Sequence, residues 1–316
     1  MTKQETHVRG KSSRVQKGLR ILLYTFTAAV LLCLTLNVSA SCLVTRADHK
    51  APRNPDTGIL LGAEARDLGP EDAPNAVLFV HGFVGAGNNF ADLPDLLAAK
   101  GWRVRVMRLP GHGTSPRDLA GVTTDDLLKA VHNELEALRA KHQRVILIGH
   151  SMGGALSTIT AARDQVDALV LGAPYFGVTY HWFYILRPET WSRLNAHVLR
   201  WVYKGKLFLQ VNDKSAKDHI VSYKWIPSHF LLTLTDVGKR ARQPEVLQNV
   251  KCPVLFIHAD GDTAASPKAA WKAFDAMASA NKQAVRLTRS DHHIFWDYEH
   301  EEVMEKVLAF IASLKP

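Results

Sequence analysis

The chain has 316 residues, 47% apolar and 22% charged, a composition that excludes a disordered chain and allows one large or two ordinary domains. Its formal charge is +9, but about half of the excess lies in residues 1–20, where Lys3, Arg9, Lys11, Arg14, Lys17 and Arg20 face Glu5 alone. The remainder is scattered, with no basic run interleaved with aromatics, which argues against nucleic-acid binding.

The basic tail of residues 1–20 leads into ILLYTFTAAVLLCLTLNVSA (21–40), a stretch without a charge and long enough to cross a bilayer as one helix. Basic residues before it keep the N-terminus cytoplasmic and send the rest to the extracytoplasmic side, periplasmic or extracellular. A single membrane-spanning signal anchor over 21–42 is the expectation. Two other processing routes remain open: cleavage after Val38-Ser39-Ala40, giving a secreted form, or lipid modification at Cys42. Cys33 and Cys42 belong to this leader, so Cys252 stands alone in the body and no disulfide scaffold is available.

Residues 43–75, rich in Pro, Asp, Arg and Gly, read as a tether and an edge element. A body over 76–316 follows. Its first strand is AVLFV (76–80), ending in HGFVG (81–85). A helix is predicted over 89–100, a strand over 102–107, and a capped helix after Thr123 or Thr124 with Leu127, Leu128, Val131, Leu135 and Leu138 on one face. Then comes RVILIGHSMGG (144–154), a buried strand running into a glycine-flanked serine and a helix. Gly149-His150-Ser151-Met152-Gly153 has the form of a nucleophile elbow, with the Met152 amide aimed at the same spot as the Ser151 hydroxyl.

ALVLG (168–172) is the next strand. Alternation stops over 174–250, which is dense in Trp, Tyr and Phe, and resumes with VLFI (254–257), a helix near 267–278, a strand over 284–287 and a last helix over 301–314. The pattern predicts an α/β fold: a mainly parallel sheet, helices on both faces, and an inserted helical cap at 174–250.

Acyl transfer by serine needs a base, a carboxylate that orients it, and N–H donors for the oxyanion. Asp260 and Asp262 follow one predicted strand, and His292 and His293 follow the next, in the order serine, acid, histidine. Carboxyl ends of strands are where functional groups gather in such sheets. Spacing leaves both members of each pair open. Each could also be turn or surface residues; their joint placement with the elbow favours the functional reading. His112, His150 and His258 read as structural, no metal-ligand pattern appears, and no cofactor is expected.

HGFVG (81–85), GHGTSP (111–116), GHSMGG (149–154), HADGDTAASP (258–267) and SDHHIFWDYE (290–299) together resemble the α/β-hydrolases of the serine carboxylesterase and monoacylglycerol lipase type, over residues 75–316. The resemblance implies Ser151 as nucleophile and Asp262 as acid, since Asp262 precedes a Pro-started helix. It implies His292 as base, five positions before Asp297, and the amides of Phe83 and Met152 as the oxyanion hole. It further implies a small-molecule acyl ester or monoacylglycerol as substrate. The aromatic insertion suits an apolar acyl pocket, with Tyr175, Phe176 and Trp182 as candidate lining. Lys204, Lys206, Lys214 and Lys217 fit lipid headgroups or a solvated face equally. An acyltransferase, a thioesterase and a non-catalytic binding protein are the rival readings.

Overall fold

In the computed structural model, which describes residues 3–180, 188–205 and 209–314, the chain opens with a helix, α1 (Lys3–His49), and a short strand, β1 (Arg66–Leu68). It then alternates through β2 (Asn75–Val80), α2 (Leu93–Ala99), β3 (Arg103–Val106), α3 (Thr124–Arg139), β4 (Arg144–His150), α4 (Met152–Arg163) and β5 (Ala168–Gly172). The insertion carries α5 (Pro188–Val198), a ribbon of β6 (Trp201–Tyr203) and β7 (Trp225–Pro227), α6 (Ser228–Ala241) and α7 (Pro244–Leu247). The body resumes with β8 (Val254–Ala259), α8 (Pro267–Ala276), β9 (Lys282–Leu287) and α9 (His300–Ser313).

Side chains alternate along a strand, so a wholly apolar strand serves two cores. Ala76, Leu78 and Val80 of β2 join one core, and Val77 and Phe79 the other. In β4, Val145 and Leu147 oppose Ile146 and Ile148 in the same way. The first core is closed by Leu127, Val131 and Leu135 of α3, by α4, and by Ala270 and Ala273 of α8. The second is closed by Leu93 and Leu97 of α2 and by Val303, Val307 and Phe310 of α9. Thr123 caps α3 reciprocally with Asp126: its hydroxyl accepts the Asp126 N–H while the Asp126 carboxylate accepts the Thr123 N–H.

The sheet order is β1-β3-β2-β4-β5-β8-β9, parallel throughout except for β1, which lies antiparallel to β3 at the edge. β5 and β8 are hydrogen-bonded neighbours, so the insertion leaves and re-enters the sheet between adjacent strands. Part of it is not a cover but core: Phe230, Val237 and Ala241 of α6 are fully buried against the first core. The helix predicted over 89–100 is two pieces, a single 3-10 turn at Gly87–Phe90 and then α2. Ala91, at φ 47, leaves the helical region between them, and Pro94 starts the second. α1 runs past residue 42 into the stretch expected as tether, and its apolar face over residues 19–36 is exposed.

Candidate active site

β4 delivers Ser151 into a strained turn. Its φ of 54° and ψ of −121° are sparsely populated by residues with a side chain. Neighbours hold it there: the Ser151 N–H donates to Gly172 O (3.1 Å), and Ser151 O accepts from the Tyr175 N–H (2.9 Å). Close approach dictates the two glycines. A Cβ on Gly153 would stand 1.9 Å from Val80 O, and one on Gly149 would stand 2.6 Å from Gly153 O.

Two other strand ends complete a chain of hydrogen bonds. The Ser151 hydroxyl donates to His292 Nε2 at 2.8 Å, and His292 Nδ1–H donates to Asp262 Oδ2 at 2.8 Å. The other oxygen of Asp262 accepts from the amides of Ala264 (2.8 Å) and Ala265 (2.7 Å). Burial alone would push this carboxyl up; the charge and hydrogen bond of His292, with the amides, hold it below the usual carboxylate value. Asp260 stands apart, exposed, and pairs with Arg286 at 3.0 Å. His293 is buried against His150, with ring centroids 5.5 Å apart, and burial pushes its pKa well below the ordinary value.

The loops carrying these groups are tied by contacts that no local motif announces. Asp291 accepts the Thr263 N–H (2.8 Å), joining the acid loop to the histidine loop. Asp297 accepts the amides of Asp291 (2.8 Å), Asn212 (2.8 Å) and Asp213 (2.9 Å). Glu299 accepts those of Thr288, Arg289 and Ser290. On the opposite side, His112 donates through Nδ1 to Pro110 O (2.9 Å) and accepts the Val84 N–H at Nε2 (3.2 Å). Burial pushes His112 down to about 4, so it stays neutral and able to accept. His81 bridges Gly82 O and the Leu109 N–H in the same manner. These two histidines shape the loop bearing Phe83. In the sequence His112 reads as structural, without a stated task, and His81 only as part of the HGFVG motif.

That loop runs against the elbow: a Cβ on Gly82 would lie 3.0 Å from Ser151 Cβ. Among the described residues, neither the Phe83 nor the Met152 amide donates to a protein acceptor. Met152 is the first residue of α4, directly after Ser151.

A cavity of about 270 Å³ opens over Ser151 and His292. Phe83, Leu231 and Leu234 give it an apolar wall, and Phe83 stacks on Phe230 of α6 at 5.1 Å. Of the residues expected at the substrate, Tyr175 lines this cavity. Phe176 does not: it is fully buried and stacks on Phe256 inside the first core, because it follows Tyr175 on the opposite side of the chain. Trp182 lies outside the described residues. Lys204, expected at headgroups or solvent, also lines the cavity. Among the described residues no group of three or more His, Cys, Asp or Glu side chains is disposed to hold a metal.

A family model described as serine aminopeptidase, S33, matches residues 71–299. A thermostable monoacylglycerol lipase of Bacillus sp. (strain H-257) is 28% identical over 255 residues, 81% of this chain and 96% of the relative. Among solved structures, a metagenome-derived lipolytic enzyme superposes with TM-score 0.71 at 24% identity, covering 80% of this chain and 99% of the other. A soluble variant of the monoglyceride lipase of Saccharomyces cerevisiae, in complex with a substrate analog, gives TM-score 0.69 at 17% identity over 80% and 92% of the two chains.

Proposed function

Since the chain belongs to the serine aminopeptidase S33 family and has the α/β-hydrolase fold, we propose that Ser151, His292 and Asp262 are its catalytic triad and cleave acyl esters through an acyl-enzyme. The protein is a serine hydrolase of the lipase and esterase type, a carboxylic ester hydrolase. What carries the residue assignment is the pair of 2.8 Å hydrogen bonds from Ser151 to His292 and from His292 to Asp262 beneath a cavity.

In this reading His292 Nε2 takes the hydroxyl proton as Ser151 Oγ attacks the ester carbonyl. The Phe83 and Met152 amides hold the oxyanion, and His292 returns the proton to the departing alcohol. Water, deprotonated by the same nitrogen, then releases the acid. The apolar wall of Phe83, Leu231 and Leu234 suits an acyl chain. At about 270 Å³ the cavity is near the small end of ligand sites, which run from about 300 to 1,000 Å³. That favours short or medium chains, on a monoacylglycerol or a comparable ester. The family description favours a second reading, an aminopeptidase. Such an enzyme has to answer the substrate's α-ammonium, and among the described residues the cavity wall carries no Asp or Glu.

We place α1 in the membrane as an uncleaved anchor. One window within Gln16–His49 has mean hydropathy 2.1 and is not buried in the protein. The helix is also bound to the insertion beyond it: the Asn37 amide donates to Val198 O (2.9 Å), Arg200 N–H donates to Asn37 Oδ1 (2.6 Å), and Trp201 Nε1–H donates to Ser41 Oγ (3.1 Å). Exposed Leu194 and Val198 of α5 stand beside this junction, as expected of a surface at a bilayer.

The test uses the detergent-solubilised full chain and its Ser151→Ala variant, with p-nitrophenyl esters and monoacylglycerols of graded chain length and a fluorophosphonate label. Hydrolysis and labelling that both vanish in a folded S151A protein are expected. Hydrolysis surviving the substitution would overturn the triad. Labelling without hydrolysis would move the reading to acyl transfer or thioesters.

A further inference from the structure

The ester-hydrolase reading leaves the charged side chain of the cavity, Lys204, without a task. Lys204 follows β6, and its backbone is pinned there: its N–H donates to Lys224 O at 2.7 Å, and the Gly205 N–H reaches the same carbonyl at 3.3 Å. The half-buried side chain lines the cavity that holds Ser151 and His292. Among the described residues no carboxylate answers it. Among the described residues Lys204 makes no ion pair, and residues 1–2, 181–187, 206–208 and 315–316 contain no Asp or Glu.

Lys204 is also the one Lys, Arg, Asp or Glu among the described residues of the cavity wall. Withdrawal from water pushes its ammonium down to about 8, so it is still charged at neutral pH. His150 and His293 add no charge of their own. Burial first, then the charge of His292, brings His150 down to about 3, and burial keeps His293 neutral; Lys204 pushes both in the same direction. The cavity wall therefore has two unlike parts. Phe83, Leu231 and Leu234 supply the apolar part; Lys204, whose charge reaches His293, supplies a polar part with His293 and Gln210, the His293 N–H donating to Gln210 O at 3.0 Å.

An ammonium drawn out of water without a partner is costly, and an anion brought by a ligand offsets that cost. With the acyl chain against the apolar part of the wall, the polar part is left for the alcohol portion. We infer that Lys204 is a specificity-determining residue that receives an anionic group, phosphate or carboxylate, on the alcohol side of the ester. The substrate class is then an acyl ester of an anionic alcohol, acyl glycerol phosphate being the simplest phosphate case. This rests on the ester-hydrolase reading.

The test compares a 1-monoacylglycerol with the 1-acylglycerol 3-phosphate of the same chain, hydrolysed by the full chain and by Lys204→Met and Lys204→Arg. The ratio of kcat/KM, phosphate ester over neutral ester, should exceed one in the natural chain. It should fall about 10- to 100-fold in K204M, the size of a lost hydrogen bond to a charged group, mainly through KM. K204R should restore most of it. Calorimetric titration of glycerol, glycerol 3-phosphate and glycerate needs no turnover, so it separates a failure of this inference from a failure of the ester reading. Tighter binding of glycerol 3-phosphate assigns a phosphate and tighter binding of glycerate a carboxylate, provided K204M removes the preference. A ratio indifferent to K204M, or anions bound no better than glycerol, would overturn the inference.

Discussion

Asp260 and Asp262 stand two positions apart on one turn, yet only Asp262 is withdrawn from water. It is 2% exposed and receives two backbone amides as well as His292. Asp260 points outward to Arg286, an exposed pair of the kind that contributes little. Asp262→Asn should therefore lower kcat by about 10⁴-fold, because His292 loses the acceptor that fixes its tautomer. Asp260→Asn should change kcat/KM by less than about twofold. Equal losses in the two variants, measured on one p-nitrophenyl ester, would contradict this division of roles. The same contrast separates neighbours Tyr175 and Phe176. Both are buried aromatics, but one faces the cavity and the other the core.

At the scale of elements, the segment between β9 and α9 matters most, since it has no regular structure yet carries His292. Its shape comes from two acids accepting main-chain amides. Glu299, 8% exposed, takes three amides and the Ser290 hydroxyl (2.7 Å), while Asp297 ties the segment to residues 212 and 213 of the insertion. Burial acts to raise the Glu299 pKa, but the Ser290 hydroxyl and the amides outweigh it and leave the carboxyl below its ordinary value of 4.5. A depressed folded value means that this stabilisation is complete above the unfolded value and is lost as pH falls through the folded one. Glu299→Gln should thus be less stable than the natural chain near neutral pH. The gap should narrow as urea unfolding is repeated from about pH 6 down to about pH 3. A gap independent of pH would show that the carboxylate's charge is not what holds the segment.

For the molecule as a whole, the leader is part of the architecture. A helix of 47 residues is about 70 Å long, and the proposed anchor would take up about 30 Å of it in hydrocarbon, so α1 has length to spare for docking. Its last turns do so: Val44 is fully buried, Arg117 donates to Thr45 Oγ1 (2.6 Å), and Asp48 pairs with Arg53 and accepts from the Ser115 hydroxyl. Cleavage after Ala40 would remove Asn37 and its two bonds to the insertion. The mass of the mature protein should include residues 21–40, and the protein should stay with membranes in alkaline carbonate. A mature chain beginning near residue 41 would refute the anchor.

Much of this was legible in the residues alone. Alternating apolar runs announce a parallel sheet covered on both faces, and glycines around Ser151 announce a turn too tight for side chains, because strand period and steric contact are local properties. The break at Ala91, the burial of Phe176 and the placing of α6 in the core were not legible, since packing decided each. Nor was the role of Lys204. In the sequence it is one of four lysines of the insertion that fit lipid headgroups or a solvated face equally. Only the folded chain brings it to the wall of the cavity over Ser151, with no carboxylate beside it among the described residues, because whether a charge is desolvated and what faces it depend on segments far away along the chain.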